Sequence, residues 1–177
     1  IFLAEGYTAS QEADFERDVA RINNGFKSKL FYNIYSNAIN VFSSFKASEE
    51  SGADDPLNEI YVNTAFDATF NTNGIDQLLT VSTSKVNTFL RTEFLNYDPS
   101  LDIVVAVVNS NKYGGSGGQI AVTSVESSAA EVAIHEVGHS FALLADEYDT
   151  PYDGWVQKEE RNATAKTTRA EILWSNW

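Results

Sequence analysis

The stretch His135-Glu136-Val137-Gly138-His139, continued by SFALLADEY to residue 148, contains both histidines of the chain. A spacing of four residues brings two side chains to nearly the same face of an α-helix, one turn apart. Two imidazoles in this position bind one Zn²⁺ at about 2.0–2.1 Å. Glu136 points about 100° around the helix from His135, so it is placed to contact a metal-bound water. This is the HExxH pattern of zinc hydrolases, with Glu136 as the general base.

The residues before the motif predict the helix that the motif requires. Ser127 or Ser128 is a suitable N-cap, and Glu131 follows in the first turn, where a negative charge stabilises the helix dipole. The alternative is that the histidines serve only packing or capping and bind no metal. Because the chain has no other histidine, the metal interpretation is favoured.

Two histidines are too few for a catalytic zinc site, which has three protein ligands and one open position. The chain has no third histidine and no cysteine, so the remaining ligand is expected to be a carboxylate. Asp146 is seven residues after His139, on the same helix face but about 10 Å further along the axis. It reaches the metal only if the helix ends or bends soon after His139. Glu147 has the same constraint with a longer side chain, and Glu159 requires a second helix that folds back.

The rest of the chain alternates between strand-like and helix-like segments. The helix-like segments carry apolar residues every three or four positions, and the strand-like ones are rich in β-branched and aromatic residues. We predict strands at Ile1–Leu3, 38–45, 60–70, 101–108 and 120–125, helices from Thr8 or Ser10 to Leu30, from Ser82 or Thr83 to Phe94 and from Ser127 or Ser128 onward, and a short helical piece at 156–161. Residues 101–108 are apolar on both faces, so both faces should be covered. This order indicates an α/β domain with helices packed on a mixed sheet.

Glycines and one tyrosine near the motif suggest further roles. The glycine-rich loop at 109–118 is expected to lead to an edge strand, Gln119–Thr123, which would pair with an extended substrate. Gly138 is expected to allow a close approach of a neighbouring element, since glycine within a helix otherwise costs about 1 kcal/mol. Tyr148 either donates a hydrogen bond to a developing oxyanion or packs its ring against the helix end.

Composition restricts the class of protein. The 177 residues are 43% apolar and 12% aromatic, which is enough for one domain with a core. A net charge of −13 argues against nucleic acid as a partner, because phosphate binding needs a basic face. No segment is long and apolar enough to be a membrane-spanning helix. The chain has no methionine, not even an initiator, and we expect it to be a piece of a longer protein.

The segment HEVGHSFALLADEY resembles the IgA-peptidase family of bacterial zinc metallopeptidases, in which HExGH is followed by a Leu-x-Asp-Glu-Tyr ending. Weaker similarities extend over nearly the whole chain, in FLAEGYT, SEESGADDP, NTAFDATF, YGGSGG and the tail from Asn162. The resemblance implies a single zincin- or metzincin-like catalytic domain over residues 1–177, with part of its C-terminal region missing. It implies a zinc metalloendopeptidase that acts on protein or peptide substrates and is secreted, periplasmic or at the cell surface. It also implies His135, His139 and Asp146 as metal ligands and Glu136 as catalytic base.

The chain departs from the extended metzincin pattern in two respects. That pattern has a glycine and a further ligand where this chain has Ala142 and Ala145, and it has a methionine turn, which a chain without methionine cannot form. One alternative is therefore an inactive relative or fragment that binds zinc and peptide without cleavage. A second alternative is a structural or carbohydrate-associated domain in which the motif is accidental. The sequence does not indicate an oligomeric state.

Overall fold

A computed structural model describes residues 1–146 and 159–175 of the chain. Within these residues it contains five strands, four α-helices and several short 3₁₀ turns. In chain order the elements are β1 (Phe2–Glu5), α1 (Glu12–Lys27), α2 (Leu30–Tyr35), β2 (Ser43–Ser44), α3 (Thr83–Glu93), β3 (Val105–Val108), β4 (Gly115–Ser116), β5 (Ala121–Ser124) and α4 (Ala129–Ala142).

The strands form one mixed sheet in the order β2-β1-β3-β5-β4. Strands β2, β1, β3 and β5 are parallel, with Phe2 opposite Val105 and Val105 opposite Ala121. Only β4 runs antiparallel, pairing with β5 at the end of the sheet. The prediction of an α/β domain with a mixed sheet is confirmed.

Alternating side chains of the central strands fill two apolar cores, one on each face of the sheet. On one face Phe2, Val105 and Val107 pack with α1 and α4. On the other face Leu3, Ala106 and Val108 pack with α3 and with the long connection between β2 and α3. All four residues of β3 are buried, as its apolar sequence predicts for a strand covered on both sides.

Helices α1 and α4 cross at a glycine, which brings their backbones close together. A Cβ atom added at Gly25 would lie 2.5 Å from the Cβ of Ala130, so glycine is needed at this crossing. We expected Gly138 to serve such an approach. Among the described residues, a Cβ at Gly138 would meet only Leu144 Cδ1, at an ordinary 3.6 Å, so that expectation is not supported there.

Three of the predicted strands are wrong in whole or in part. Of residues 101–108, only Val105–Val108 form a strand, and Leu101 is exposed. Of residues 38–45, only Ser43 and Ser44 pair with β1. Residues 60–70 form an irregular connection, apart from isolated bridges such as the one between Thr69 and Thr80. The connection is held instead by the buried carboxylate of Glu5, which accepts hydrogen bonds from Thr64 Oγ1 at 2.6 Å and from the backbone N–H groups of Phe66 and Ala68 at 3.0 and 2.8 Å.

The first predicted helix is shorter than its apolar pattern suggested. It begins at Glu12, after a 3₁₀ turn at 9–11, and ends at Lys27, so Leu30 begins the separate helix α2 and is exposed. Among the described residues, no helix combines the length and apolarity that crossing a bilayer requires.

Candidate functional site

Helix α4 carries the HExxH motif and ends three residues after His139. Leu143 then takes a left-handed conformation, with φ of 55°, which reverses the chain. The N–H groups of Leu143 and Leu144 donate back to the carbonyls of His139 and Gly138 at 3.2 and 3.3 Å, a closing pattern typical of helix ends. This early ending is the condition under which Asp146 can return towards the histidines.

Three potential ligand atoms meet beside the C-terminal end of this helix. The Nε2 atoms of His135 and His139 lie 3.1 Å apart, and Asp146 Oδ1 lies 3.0 Å from each of them. The two imidazole rings are nearly perpendicular, at 88°. The triangle is open to solvent, because the side chains of His135 and Asp146 are 44% and 45% exposed.

The ring of His139 is oriented by the chain reversal itself. Its Nδ1–H donates to the Leu144 carbonyl at 2.6 Å. A hydrogen bond at Nδ1 fixes the tautomer in which Nε2 keeps its lone pair, the arrangement found in metal-binding histidines. We did not anticipate Leu144 from the sequence, because a backbone carbonyl leaves no signal in the residue pattern.

Glu136 lies beside the triangle, towards the edge of the sheet. A carboxylate oxygen of Glu136 lies within 4.8 Å of nitrogens of both histidines. Burial raises the pKa of the Glu136 carboxyl; the two histidines act in the opposite direction and Asp146 adds to the increase. A carboxyl group in this position can exchange a proton with a group placed between the two imidazoles.

The glycine-rich loop packs its backbone directly on α4. A Cβ at Gly115 would lie 2.6 Å from Val132 Cγ1 and 3.1 Å from Glu136 Oε1. At Gly117 it would lie 2.5 Å from His139 Cβ. Next in the loop, Gly118 N–H donates to Ser140 Oγ at 3.3 Å. The glycines are therefore needed for close contact between this loop and the motif.

This loop also corrects our placement of the edge strand. We predicted the edge at Gln119–Thr123, but β5 lies between β3 and β4, and the two-residue strand β4 lies outside it. Gly115 and Ser116 have low β propensity, so the sequence does not predict a strand there. Their extended conformation depends on pairing with β5.

The remaining candidates are placed as follows. Glu159 accepts hydrogen bonds from Thr164 Oγ1 and Ala165 N–H, at 2.6 and 3.3 Å, so both of its carboxylate oxygens bond within its own loop. Glu147, Tyr148 and residues 156–158 lie outside the described residues. Residues 159–161 are not helical, so that part of the short helical piece predicted at 156–161 is absent.

The spacing of these three atoms fits a small cation. Ligands at about 2.0–2.1 Å around a tetrahedral Zn²⁺ are separated from one another by about 3.3–3.4 Å, and the three distances here are 3.0–3.1 Å. Two imidazoles and one carboxylate are also a donor set that zinc accepts, with room for a fourth ligand.

Comparison with known proteins identifies the family. The family model described as IgA Peptidase M64 matches residues 1–177, the whole chain. A search of curated proteins finds no match. The sequence motif and the full-length match point to the same group of enzymes. The chain belongs to the IgA peptidase M64 family.

Proposed function

We propose that this protein is a zinc-dependent metalloendopeptidase. The observation that supports it most directly is the convergence of three potential ligand atoms, His135 Nε2, His139 Nε2 and Asp146 Oδ1, within 3.1 Å of one another. Unprotonated atoms this close repel one another unless a positive charge lies between them, which a metal ion would supply. Membership of a peptidase family gives this cation a chemical purpose.

Zinc is the metal that we propose for this site. The same two-histidine, one-carboxylate set also holds iron(II) in oxygenases, so the donor atoms do not select the element by themselves. The peptidase family favours a redox-inert Lewis acid. When bound, Zn²⁺ supplies a Lewis acid that activates water and polarises a carbonyl group.

Glu136 is the proposed general base. Its carboxylate lies beside the two histidines rather than between them, with an oxygen within 4.8 Å of a nitrogen of each, so a water bound at this site would lie next to it. In peptide hydrolysis Glu136 accepts a proton from the attacking water and then delivers it to the leaving amine nitrogen. Its partly buried position beside β4 limits exchange of that proton with bulk solvent.

The substrate is proposed to pair with the backbone just after β4, at Gly117. The backbone of Gly115 is already paired with residues 77–79, and Ser116 faces β5. Gly117 follows, and among the described residues no hydrogen bond engages its N–H or C=O. An extended peptide can pair with such an edge, directly beside His139. The family name refers to IgA, but substrate choice depends on pockets rather than on fold, and we propose only a protein or peptide substrate.

Metal analysis and base substitution test this proposal together. We expect the purified chain to hold one Zn²⁺, and removal of the ion by a chelator to abolish peptide hydrolysis. Glu136→Gln should retain the zinc and lose hydrolysis by at least 10²-fold, the scale of general acid–base catalysis. Full activity of this variant would exclude Glu136 as the base, and a metal-free wild type would exclude the site.

The third ligand is tested by comparing two carboxylates. Asp146→Ala should weaken Zn²⁺ binding much more than Glu159→Ala, because Asp146 Oδ1 lies 3.0 Å from both imidazoles whereas Glu159 bonds within its own loop. Zn²⁺ affinity measured by competition with a chromophoric chelator distinguishes them. The opposite ranking would assign Glu159 as the ligand.

A further inference from the structure

Asn162 makes a paired contact with the backbone next to the proposed third ligand. Its side-chain Oδ1 accepts from the N–H of Ala145 at 2.7 Å, and its Nδ2 donates to the carbonyl of Ala145 at 3.1 Å. The amide thus satisfies both backbone groups of Ala145 at once. Asn162 is 17 residues further along the chain, so this contact is tertiary rather than local.

The contact lies in the segment that connects α4 to Asp146. Helix α4 ends at Ala142, and residues 143–146 have no regular structure. Hydrogen bonds to α4 hold Leu143 N, Leu144 N and, through His139 Nδ1, the Leu144 carbonyl. Ala145 is the next residue, and the amide of Asn162 engages its N–H and C=O. With Ala145 held, every residue between the helix end and Asp146 has a fixed backbone.

The loop that presents Asn162 is closed by its own hydrogen bonds. Glu159 accepts from Thr164 Oγ1 and Ala165 N–H, Thr164 Oγ1 accepts from Lys166 N–H at 3.0 Å, and Glu160 N–H donates to the Ala163 carbonyl at 2.8 Å. These bonds flank Asn162 on both sides. The loop can therefore hold the amide at a defined position against Ala145.

We propose that Asn162 is a positioning residue that sets the carboxylate of Asp146 against the two histidines and thereby raises metal affinity. This inference rests on the metal site proposed above. Groups that orient a metal ligand typically contribute 10- to 100-fold to affinity. Asn162 acts here through the backbone of the preceding residue, because its amide holds Ala145 rather than the metal.

The test is a double-mutant cycle read out as Zn²⁺ affinity of the folded, metal-free protein. Asn162→Ala should weaken Zn²⁺ binding by about 10- to 100-fold. In the Asp146→Ala background the same substitution should cause no further loss, since the ligand that it positions is gone. Asn96→Ala, an exposed asparagine after α3, is the matched control and should bind as the wild type does.

A second variant, Asn162→Asp, alters the hydrogen bonds to Ala145 without removing the side chain. Asn162→Asp retains an oxygen for the Ala145 N–H but places a second oxygen against the Ala145 carbonyl. We expect an affinity loss at least as large as that of Asn162→Ala.

Two results would overturn the inference. The first is wild-type Zn²⁺ affinity in either Asn162 variant, whether or not its unfolding free energy drops, and the second is an equal loss of affinity with and without Asp146. If Asp146→Ala alone left the affinity intact, the proposed ligand set would fall as well. That result is distinguishable from a failure of Asn162 alone.

Discussion

Replacement of Gly117 by alanine tests the contact between the glycine-rich loop and the motif helix. The added Cβ would lie 2.5 Å from His139 Cβ and 3.0 Å from both Cγ and Cδ2 of the ring. Carbon atoms pack best at about 3.5–4.0 Å. The loop and the imidazole must therefore separate by about 1 Å. The backbone of Gly117 is not in the left-handed region, so the expected effect is steric.

The magnitude follows from the tolerance of a metal site. Ligand distances must stay within about 0.2 Å of their preferred values, and a shift of about 1 Å in His139 exceeds this. We expect Gly117→Ala to weaken Zn²⁺ binding by about 10- to 100-fold, as other changes to ligand orientation do. Overpacking should also lower the free energy of unfolding of the metal-free protein by about 1–3 kcal/mol.

The assay compares Gly117→Ala with Gly138→Ala, the same change at the residue that precedes His139 in α4. Among the described residues, the Cβ of Ala at 138 would meet only Leu144 Cδ1 at 3.6 Å. This variant should keep its Zn²⁺ affinity and gain about 1 kcal/mol of stability from helix propensity. Chelator competition gives the affinities and urea unfolding the stabilities. Wild-type Zn²⁺ binding by Gly117→Ala, or equal losses in both variants, would refute the reasoning.

Two further predictions concern the core. Gly25→Ala should destabilise the protein by about 1–3 kcal/mol through its 2.5 Å approach to Ala130 Cβ, and Ala130→Gly should rescue it in the double variant; additive urea-unfolding losses would contradict the contact. Burial raises the pKa of Glu5 above its ordinary value, against the hydrogen-bond donors that face it. The native state then binds more protons than the unfolded state between the ordinary and the raised pKa, so stability should fall as pH rises through that window. Glu5→Gln has no carboxyl group to titrate at this position. The unfolding free energy of the wild type minus that of Glu5→Gln should therefore decrease as the pH rises. A constant or increasing difference would show that the pKa of Glu5 is not raised.

The elements that the sequence predicted well are those that carry their own pattern. Helix α1 buries Phe15, Val19 and Ile22 at spacings of four and three residues, and this spacing is typical of a helix with one buried face. Strand β3 is apolar throughout and is buried on both faces. In both cases the periodicity of the backbone decides which side chains face the core.

The elements that were missed depend on partners elsewhere in the chain. Residues 60–70 have the composition of a strand, but Glu5 holds Phe66 and Ala68 by their N–H groups, which a sheet would otherwise use. Strand β4 has no strand composition and pairs because β5 lies beside it. Whether two distant segments form hydrogen bonds with each other cannot be predicted from the residues of either segment alone.

The candidate site divides in the same way. The sequence by itself determined that His135 and His139 share a helix face with Glu136 beside them, because the helical repeat fixes those directions. Only the tertiary structure decided that the helix stops at Ala142, that the chain returns to bring Asp146 Oδ1 to 3.0 Å from both rings, and that a glycine backbone lies against His139. A helix repeats one local conformation and so can be inferred residue by residue, whereas a chain reversal and an edge contact are settled by competition among all the segments that pack there.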